Sequence, residues 1–399
     1  MRSNSILAIC AMALMFVSCE KNPTGPTGQD GKIQCSTDNY LNYVRVVSEV
    51  LANDALCVYA LWEGTDNMSA DDKVAAENAE FPELTAAGYG ARFRNPNAND
   101  QSYPNQQACL FAMIDGCTDI ATEVADAKIG EPYNNGDVYG VESWYSFNSF
   151  TDYDDNIISI ENVFMGGPEE TRQPANSLYA YLTAKGGEAQ TAAEAVKTAI
   201  AYSHETLDAA AATGCFRDLV LNKKNGKSSA EVEDAMEAIG QLAEKLDNLK
   251  QYIPADETNA QDIIDNFVTV TVIPTYKSLK EEAALLSQKV ANYSEEPTQD
   301  NLNAACEQWK KTRIPWEKSE AFLFGPVANQ QIDPHLDSWP LSQINIKAIL
   351  TSNLDWANED GSSMGANTLG FHTLEYLLFS NGEPRSISDF ISGDTVTLE

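Results

Sequence analysis

Apolar residues recur at intervals of three and four along most of this chain, and this spacing decides its fold class. Such spacing places the apolar side chains on one face of an α-helix. The clearest case runs from Ser229 to Leu249, where acidic residues occupy the remaining faces. The same pattern predicts helices at about 38–62, 106–128, 156–165, 174–184, 188–212, 229–249, 259–293, 297–323, 341–353 and 366–380. Strand-like alternation is almost absent, so the sequence predicts an all-α protein.

Interruptions of this pattern divide the chain. Residues 63–104, 131–156 and 325–340 lose the period and are predicted to be loops. Gly130 with Pro132 is predicted to end the second helix, and Pro274 to kink the helix at 259–293. Pro254 and Asp256 predict a boundary between two helical bundles. The expected bundles are residues 37–252 and 253–399.

The first 18 residues have the features of a secretion signal. A basic residue precedes an apolar run, Ile6 to Val17, that is too short to cross a bilayer. Phe16-Val17-Ser18-Cys19 is similar to a lipobox, so Cys19 is predicted to carry a lipid. Residues 19–36 contain several glycines and prolines and are predicted to be a flexible tether. The sequence thus predicts an exported lipoprotein, held to the membrane only by its lipid and facing the periplasm or the cell surface.

The charge of the chain excludes some partners. The sequence has 26 basic and 59 acidic residues, a formal net charge of -33. Nucleic acid is excluded because phosphate binding needs a basic surface, and attraction to an anionic lipid surface is excluded for the same reason. An acidic surface is consistent with cation binding and also with solubility alone.

Cysteine and histidine spacing excludes two kinds of metal site. Six cysteines follow the lipid site: Cys35, Cys57, Cys109, Cys117, Cys215 and Cys306. They are too scattered for zinc or iron–sulfur ligation, and both disulfides and buried free thiols remain open for them. The zinc motif HExxH is absent, because His204-Glu205 is followed by Thr206-Leu207-Asp208.

The segment Gly370–Phe379 is mostly large and apolar, yet it carries His372 and Glu375. Burying these two groups without partners is costly. On a helix, the spacing i, i+3 places both on one face. They therefore need a shared partner, which can be a metal, another cation or a hydrogen-bonding neighbour. The alternative is a core histidine satisfied by its own glutamate.

Three segments of the second half resemble, in this order, the imelysin-like family. They are Trp316–Pro326, Ile332–Pro340 and Gly370–Phe379, the last containing the GxHxxE motif in full. Residues 258–385 are similar to the family's first half, whereas upstream segments, including Glu142–Ser149, are similar to its second half. The swapped order predicts a circular permutation, with the usual ends joined near 250–258. The alternative is an unrelated N-terminal domain followed by half of an imelysin domain.

The resemblance implies two packed bundles of the four-helix type, with a functional cleft between them, in an exported protein linked to iron acquisition. It implies metal ligands at His372 and Glu375, and Glu320 is the third candidate. One imidazole with carboxylates suits iron or manganese. Asp337 is expected to be either a further ligand or the group that orients His372.

Other residues are expected near the cleft in other roles. Trp339 is predicted to pack rather than to bind. Arg385 either neutralises a buried carboxylate, holds an anionic ligand or lies at the surface. Glu142 and Ser143 face the cleft if the permutation is correct. The two remaining histidines are expected in structural or surface roles: His204 and His335.

Three functions remain open. The favoured one is a lipid-anchored protein that binds a metal, iron above others, or a small iron-bearing ligand for uptake, with an envelope receptor as its partner. The second is a non-metal binding module for a peptide, a glycan or a receptor. The third is a metal-dependent peptidase with Glu320 or Glu375 as the general base.

Overall fold

The structure, a computed structural model, describes residues 32–398 and is dominated by helices. The α-helices are α1 Thr37–Glu63, α2 Ala70–Asn78, α3 Gly88–Arg94, α4 Gln106–Thr122, α5 Glu131–Asn135, α6 Ser149–Met165, α7 Leu178–Lys185, α8 Gly187–Ala211, α9 Phe216–Lys224, α10 Ala230–Asp247, α11 Gln261–Asn266, α12 Ile273–Glu295, α13 Gln299–Glu317, α14 Pro326–Asn329, α15 Ile332–Asp337, α16 Gln343–Leu350, α17 Gly370–Leu378 and α18 Ile387–Phe390. The π-helical segments are Glu123–Gly130 and Phe267–Val272. The strands are β1 Ile33–Ser36, β2 Phe379–Ser380, β3 Glu383–Pro384, β4 Ile391–Ser392 and β5 Thr395–Leu398.

The prediction of an all-α fold is confirmed, because the strands in the described part of the chain are short and lie at its edge. Across residues 32–398, no helix has the length and apolarity needed to cross a bilayer. The predicted signal, Cys19 and the tether as far as residue 31 lie outside the described residues. The last part of the predicted tether is strand β1.

Helices α1, α12, α13 and α17 form the first bundle. Helix α1 begins after Ser36, whose side chain accepts a hydrogen bond from the backbone N–H of Asn39. It packs along α12, α12 packs along α13, and α17 contacts both α1 and α13. The hydroxyl of Tyr40 donates to the carbonyl oxygen of Leu377 at 2.9 Å, which ties α1 to the end of α17.

Helices α4, α6, α8 and α10 form the second bundle. Helix α10 packs against α8 and α4, α6 packs against α8, and α7 covers one side of α8. The inner face of α10 is apolar and fully or almost fully buried: Val232, Ile239, Leu242 and Leu246. This is the face that the spacing in the sequence predicts.

The two bundles meet where α4 crosses the 3₁₀ turn Glu320–Phe322 and where α6 meets α13. Gly116 on α4 permits the first contact, because a Cβ there would lie 2.1 Å from the carbonyl oxygen of Ala321. The backbone N–H of Ala321 also donates to Ser159 Oγ on α6 at 2.8 Å. A side chain at position 116 would therefore push the bundles apart.

The two ends of the described chain lie side by side. Strands β1 and β5 pair in antiparallel orientation, with Ile33 opposite Leu398 and Ser36 opposite Thr395. The backbone N–H of Thr37 also donates to the carbonyl oxygen of Asp394 at 3.0 Å. Residues from both ends of the chain therefore share one small sheet.

Several boundaries differ from the prediction. Helix α1 was expected with residues 37–252, but it packs in the first bundle with α12 and α17. The predicted loop at 63–104 contains α2 and α3, and the predicted loop at 325–340 contains α14 and α15. Helix α9 has no counterpart in the prediction. An amphipathic face predicts a helix but not which other helix covers it.

Gly130 with Pro132 does not end the second helix, which continues through a π-helical segment into α5. A Cβ at position 130 would lie 2.6 Å from the carbonyl oxygen of Ala125, so glycine allows the wider turn to pass this point. Pro132 stands where the π-helical segment passes into α5.

The cysteines of the described chain are free thiols. Cys215 is partly exposed, and the others are buried: Cys35, Cys57, Cys109, Cys117 and Cys306. Of the two possibilities left open by the sequence, the structure has unpaired thiols.

Candidate functional site

The site is built around the first turn of α17, which begins at the glycine of the GxHxxE segment. Gly370 has φ 77, and a Cβ there would lie 2.3 Å from the carbonyl oxygen of Leu336. A side chain is therefore excluded both by the backbone conformation and by the close approach of α15. Because of this contact, His372 on α17 lies directly beside Asp337 at the end of α15.

His372 is 1% exposed and lies between two carboxylates. Its Nδ1 is 3.0 Å from Glu375 Oε2, and its Nε2 is 3.1 Å from Asp337 Oδ1. The second contact is not aligned as a hydrogen bond, so Nε2 has no hydrogen-bond partner in the described chain. Burial alone would lower the pKa of His372, but Asp337 and Glu375 raise it to about 10. The ring is therefore protonated at neutral pH.

Both carboxylate oxygens of Glu375 are occupied. Oε2 contacts His372, while Oε1 accepts hydrogen bonds from the backbone N–H of Tyr145 at 2.8 Å and of Ser146 at 2.7 Å. The Ser146 hydroxyl donates to the same oxygen at 2.8 Å. Glu375, predicted as a metal ligand, therefore links α17 to the segment that precedes α6 and fixes the orientation of the His372 ring.

Arg313 on α13 is fully buried and joins three carboxylates. It contacts Asp337 and Glu317 through hydrogen-bonded ion pairs, and its Nη2 is 3.3 Å from Asp152 Oδ2. Asp337 also accepts from Trp316 Nε1 at 2.7 Å. Burial would raise the pKa of Asp337, but Arg313 and then His372 hold it well below the usual range.

Of the three carboxylates that Arg313 contacts, Glu317 is the one that loses its proton least readily. Its Oε2 accepts from Asn156 Nδ2 at 2.6 Å, across the contact between α13 and α6. Burial, together with the negative charges of Asp152 and Asp337, raises the pKa of Glu317 to about 8 despite the attraction of Arg313. The nearby cations do not offset this burial and repulsion, so Glu317 holds its proton at neutral pH.

Lys128, at the end of the first π-helical segment, is the second buried cation. Its Nζ is 3.3 Å from Glu142 Oε2 and 3.9 Å from Glu320 Oε1. Glu320 is 8% exposed, and burial holds its pKa well above the ordinary value although Lys128 acts to lower it. Glu142 and Glu320, both predicted at the cleft, thus meet at one lysine from the second bundle.

The remaining predicted residues have different positions. Ser143 is buried and donates a hydrogen bond to Asp152, so it supports the Arg313 cluster. The ring of Trp339 meets the His372 ring at a centroid distance of 4.9 Å.

Arg385 is neither at the surface nor beside the His372 cluster. It is 5% exposed and its Nη2 donates to the carbonyl oxygen of Tyr376 at 2.8 Å. Its guanidinium also lies against the rings of Tyr376 and Phe390. The expectation that it neutralises a buried carboxylate or lies at the surface is therefore wrong, because its partners are a carbonyl group and two rings.

Four residues of the cluster were not identified from the sequence: Lys128, Asp152, Arg313 and Glu317. One signal was available, since Arg313 and Glu317 have the i, i+4 spacing and flank Trp316 on a helix with a buried face. Lys128 lies in a segment whose acidic residues, Glu123 and Asp126, are exposed, so its burial has no local signature.

Three carboxylates of the cluster can approach one ion. One oxygen each from Glu317, Glu320 and Asp337 lies within 4.8 Å of the others. His372 Nε2, which has no hydrogen-bond partner, is 3.1 Å from Asp337 Oδ1, but the histidine does not lie within 4.8 Å of all three carboxylates. Carboxylate oxygens with one imidazole suit iron or manganese, so the residues present fit such an ion. Glu375 fits the different role of holding the other ring nitrogen of the histidine.

We expect the metal-free protein to lose stability as the pH rises from about 5 to about 10. The folded-state pKa of Glu317, about 8, and that of His372, about 10, both lie above the ordinary values of 4.5 and 6.5. Over that range the folded chain holds protons that the unfolded chain has lost. Each unit of pKa difference then removes about 1.4 kcal/mol. Asp337, whose pKa is lowered, acts in the opposite direction only below about pH 4.

Urea denaturation at pH 5, 7 and 9 measures this effect. This pH dependence should remain largely unchanged in about 0.5 M salt, because salt screens the repulsion between surface carboxylates far more than interactions between buried groups. A free energy of unfolding that is constant or increases over this range would contradict the protonation states described for the cluster.

The chain is similar to known proteins over most of its length. The sequence model of the family Imelysin (peptidase M75) matches residues 28–249 and 272–398. A crystal structure described as an imelysin peptidase from Bacteroides ovatus is similar over 88% of this chain and 96% of its own, with 33% identity and a TM-score of 0.73. Iron-regulated protein A of Synechococcus elongatus is 35% identical over 126 residues. That alignment covers 32% of this chain and 33% of the relative, so the chain spans about a third of the length of this curated relative. Since the family model covers most of its length, the chain belongs to the Imelysin family.

Proposed function

We propose that this protein binds a metal ion, iron above others, in the cleft between its two bundles. The observation that carries the proposal is the pairing of His372 with Glu375. Nδ1 is held by a carboxylate whose other oxygen is itself fixed by three donors, and Nε2 is turned toward Asp337 without a hydrogen bond. Metal-ligating histidines have this arrangement, in which the second ring nitrogen is bound to an orienting carboxylate.

The proposed ligands are His372, Asp337, Glu317 and Glu320. Glu375 is proposed to orient His372 and not to bind the ion. Metal entry requires the protons on Glu317, Glu320 and His372 to leave, since the pKa of each is raised, to about 8 for Glu317 and about 10 for His372. Affinity should therefore increase with pH over the neutral range.

We further propose that the protein acts in iron acquisition as an exported lipoprotein. The similarity to iron-regulated protein A supports the link to iron. The apolar run at 6–17 and the lipobox-like Phe16-Val17-Ser18-Cys19 support export and a lipid on Cys19. The cargo is then the ion itself or a small iron-bearing ligand, and an envelope uptake receptor is the partner. The anchor would face the periplasm or the cell surface.

The order of the halves is proposed to result from circular permutation. The pairing of β1 with β5 supports a cut in a surface region where the two ends are neighbours. The packing of α1 against α17, in one bundle, supports a former connection between these helices. The two separate stretches matched by the family model, 28–249 and 272–398, are also consistent with this proposal.

Metal content measured on the purified mature chain after anaerobic loading with Fe²⁺ tests the site. We expect about one ion per chain, lost in His372→Ala and Asp337→Asn. Glu375→Gln should bind about 10 to 100 times more weakly, which is the usual effect of removing a group that orients a ligand. His335→Ala is the matched control, because that histidine is exposed and lies 3.8 Å from Asp54. Circular dichroism must show that each variant is folded. Equal iron in His372→Ala and His335→Ala would refute the ligand assignment.

A further inference from the structure

A second group of oxygen atoms lies on one face of α11 and its π-helical continuation, apart from the His372 cluster. Asp262 precedes Asp265 and Asn266 by three and four residues, and Thr269 follows them by four and three, so these side chains lie on one side of the helix. Asp265 is half-buried, whereas Asp262 and Thr269 are exposed. Together they form one wall of a cavity of about 170 Å³.

The opposite wall comes from the loop between α6 and α7, in the second bundle. Gln173 and Asn176 line the cavity from this side. The loop is held by its own backbone, since the N–H of Gln173 donates to the carbonyl oxygen of Gly166 at 2.9 Å. The N–H of Asn176 donates to the carbonyl oxygen of Gln173 at 3.0 Å. The loop that lines this side is therefore held in place, and its two lining residues, Gln173 and Asn176, both have amide side chains.

Asn266 also lines the cavity and is 5% exposed. Its Nδ2 donates to the carbonyl oxygens of Gly166 at 3.0 Å and of Asn176 at 3.1 Å. These two bonds fix the orientation of the amide, because an oxygen could not occupy the Nδ2 position beside two carbonyl groups. The amide oxygen Oδ1 is buried and has no hydrogen-bond partner among the described residues. A buried acceptor without a partner costs about 1 to 3 kcal/mol, so it calls for a donor or a cation.

The charge of the cavity favours a cation. Within residues 32–398, neither Asp262 nor Asp265 forms an ion pair with a lysine, an arginine or a histidine. The neighbouring Arg172 is turned away, since its Nε donates to Gly167 and its Nη1 to Glu161. The cavity therefore combines amide oxygens with two carboxylates that lack a cationic partner, although Asp265 Oδ1 accepts a hydrogen bond from Gln261 Nε2 at 3.1 Å. Its lining offers neither an imidazole nor a thiolate.

We propose that this cavity is a Ca²⁺ site that joins the loop of the second bundle to α11. Calcium takes six to eight oxygen ligands in flexible geometry and accepts carboxylate, amide and water oxygens together. Asp262, Asp265 and the Asn266 oxygen supply the helical side, and Gln173 and Asn176 supply the loop side. With only two carboxylates the site should be weak, with a Kd of about 10⁻⁴ to 10⁻³ M. The site is independent of the proposed iron site.

Thermal denaturation of the mature chain, first freed of metal with a chelator, tests this site. We expect 10 mM CaCl₂ to raise Tm by about 2 °C in a saturable way. The rise should be smaller with MgCl₂, which prefers rigid octahedral sites. Ca²⁺ should also slow cleavage by trypsin after Arg172, because that residue lies in the loop that the ion would hold. Asp262→Asn combined with Asp265→Asn should abolish both effects, whereas Asp234→Asn, which removes an exposed charge from α10, should retain both.

The outcomes separate this site from the cleft between the bundles. Retention of the Ca²⁺ effect in Asp337→Asn, with loss in the double variant, supports the proposal. Loss in Asp337→Asn with retention in the double variant would place the cation in the cleft and overturn it. No effect of Ca²⁺ on Tm or on cleavage of the unaltered chain would mean that only water partners Asn266, which would also overturn it. The iron measurement on His372→Ala is unaffected by any of these results.

Discussion

Replacement of Arg313 by methionine is expected to destabilise the protein by about 3 to 5 kcal/mol. This guanidinium is fully buried and is the cation shared by Asp152, Glu317 and Asp337. Removing one partner of a buried ion pair leaves the other charge uncompensated in a medium of low polarity. Here Asp152 and Asp337 lose this cation at once, Asp337 retains only His372, and Glu317 loses it wherever Glu317 is ionised. Equilibrium denaturation in urea, followed by circular dichroism, measures the loss.

The loss of stability in Arg313→Met should depend on pH, because protonation neutralises carboxylates that have lost their cation. It should be smaller at pH 5 than at pH 8, where Glu317 also ionises in the unaltered protein. Arg45→Met provides the control, since Arg45 pairs with Glu49 on the partly exposed face of α1. That change should cost less than about 1 kcal/mol. Equal losses in the two variants would show that the buried carboxylates are neutral without Arg313.

The sequence predicts the central pair of the site but not its partners across the interface. His372 and Glu375 stand three residues apart in an apolar helix, so their common direction follows from helical geometry. The donors that occupy Glu375 are backbone N–H groups of Tyr145 and Ser146, about 230 residues away. Backbone N–H groups carry no residue-specific signal, so no inspection of the sequence identifies them. This is why the sequence indicates Glu375 as a ligand candidate but not its hydrogen bonds to the segment before α6.

Buried charges were missed for a related reason. In helical segments, charged residues are usually placed on the solvent side of the apolar face, and this is correct for most of α10. Lys128 and Arg313 are exceptions, because each is covered by the opposite bundle and paired with its carboxylates. Whether a lysine is solvated or buried depends on how two bundles pack, and helical periodicity has no information on that packing.

For the fold, too, helical periodicity predicts the helices but not how they pack. Helix existence was predicted well where the periodic pattern is long, as in α1, α8 and α10. The assignment of α1 to a bundle failed, because its apolar face can be covered equally well by any helix with a matching face. Its partners are α12 and α17, more than 200 residues away in sequence. The permutation proposed above gives a reason, since it would have separated α1 from helices that once stood beside it in the chain.

Replacement of Glu375 by alanine is expected to loosen the contact between the two bundles and to cost about 3 to 5 kcal/mol. The change leaves the N–H groups of Tyr145 and Ser146 and the Ser146 hydroxyl without an acceptor, and it removes the partner of His372 Nδ1. Each buried group left unsatisfied costs about 1 to 3 kcal/mol, and this cost is smaller where water reaches the group.

Urea denaturation measures the loss of stability, and two spectroscopic probes test whether the contact between the bundles is loosened. Every tryptophan except Trp144 lies on α1 or between residues 309 and 356, so fluorescence reports mainly on the first bundle, whereas far-ultraviolet circular dichroism reports on both.

The two transitions should coincide in the unaltered protein and separate in Glu375→Ala, because bundles that no longer support each other unfold at different urea concentrations. Glu375→Gln is the matched control: its amide oxygen can still accept from Tyr145 and Ser146, so it should cost about 1 to 2 kcal/mol and keep the transitions together. Its iron affinity should nevertheless fall, since an amide orients the imidazole less well than a carboxylate does. If alanine and glutamine have the same effect on stability, the backbone hydrogen bonds to Glu375 do not hold the bundles together, and the carboxylate acts only through His372.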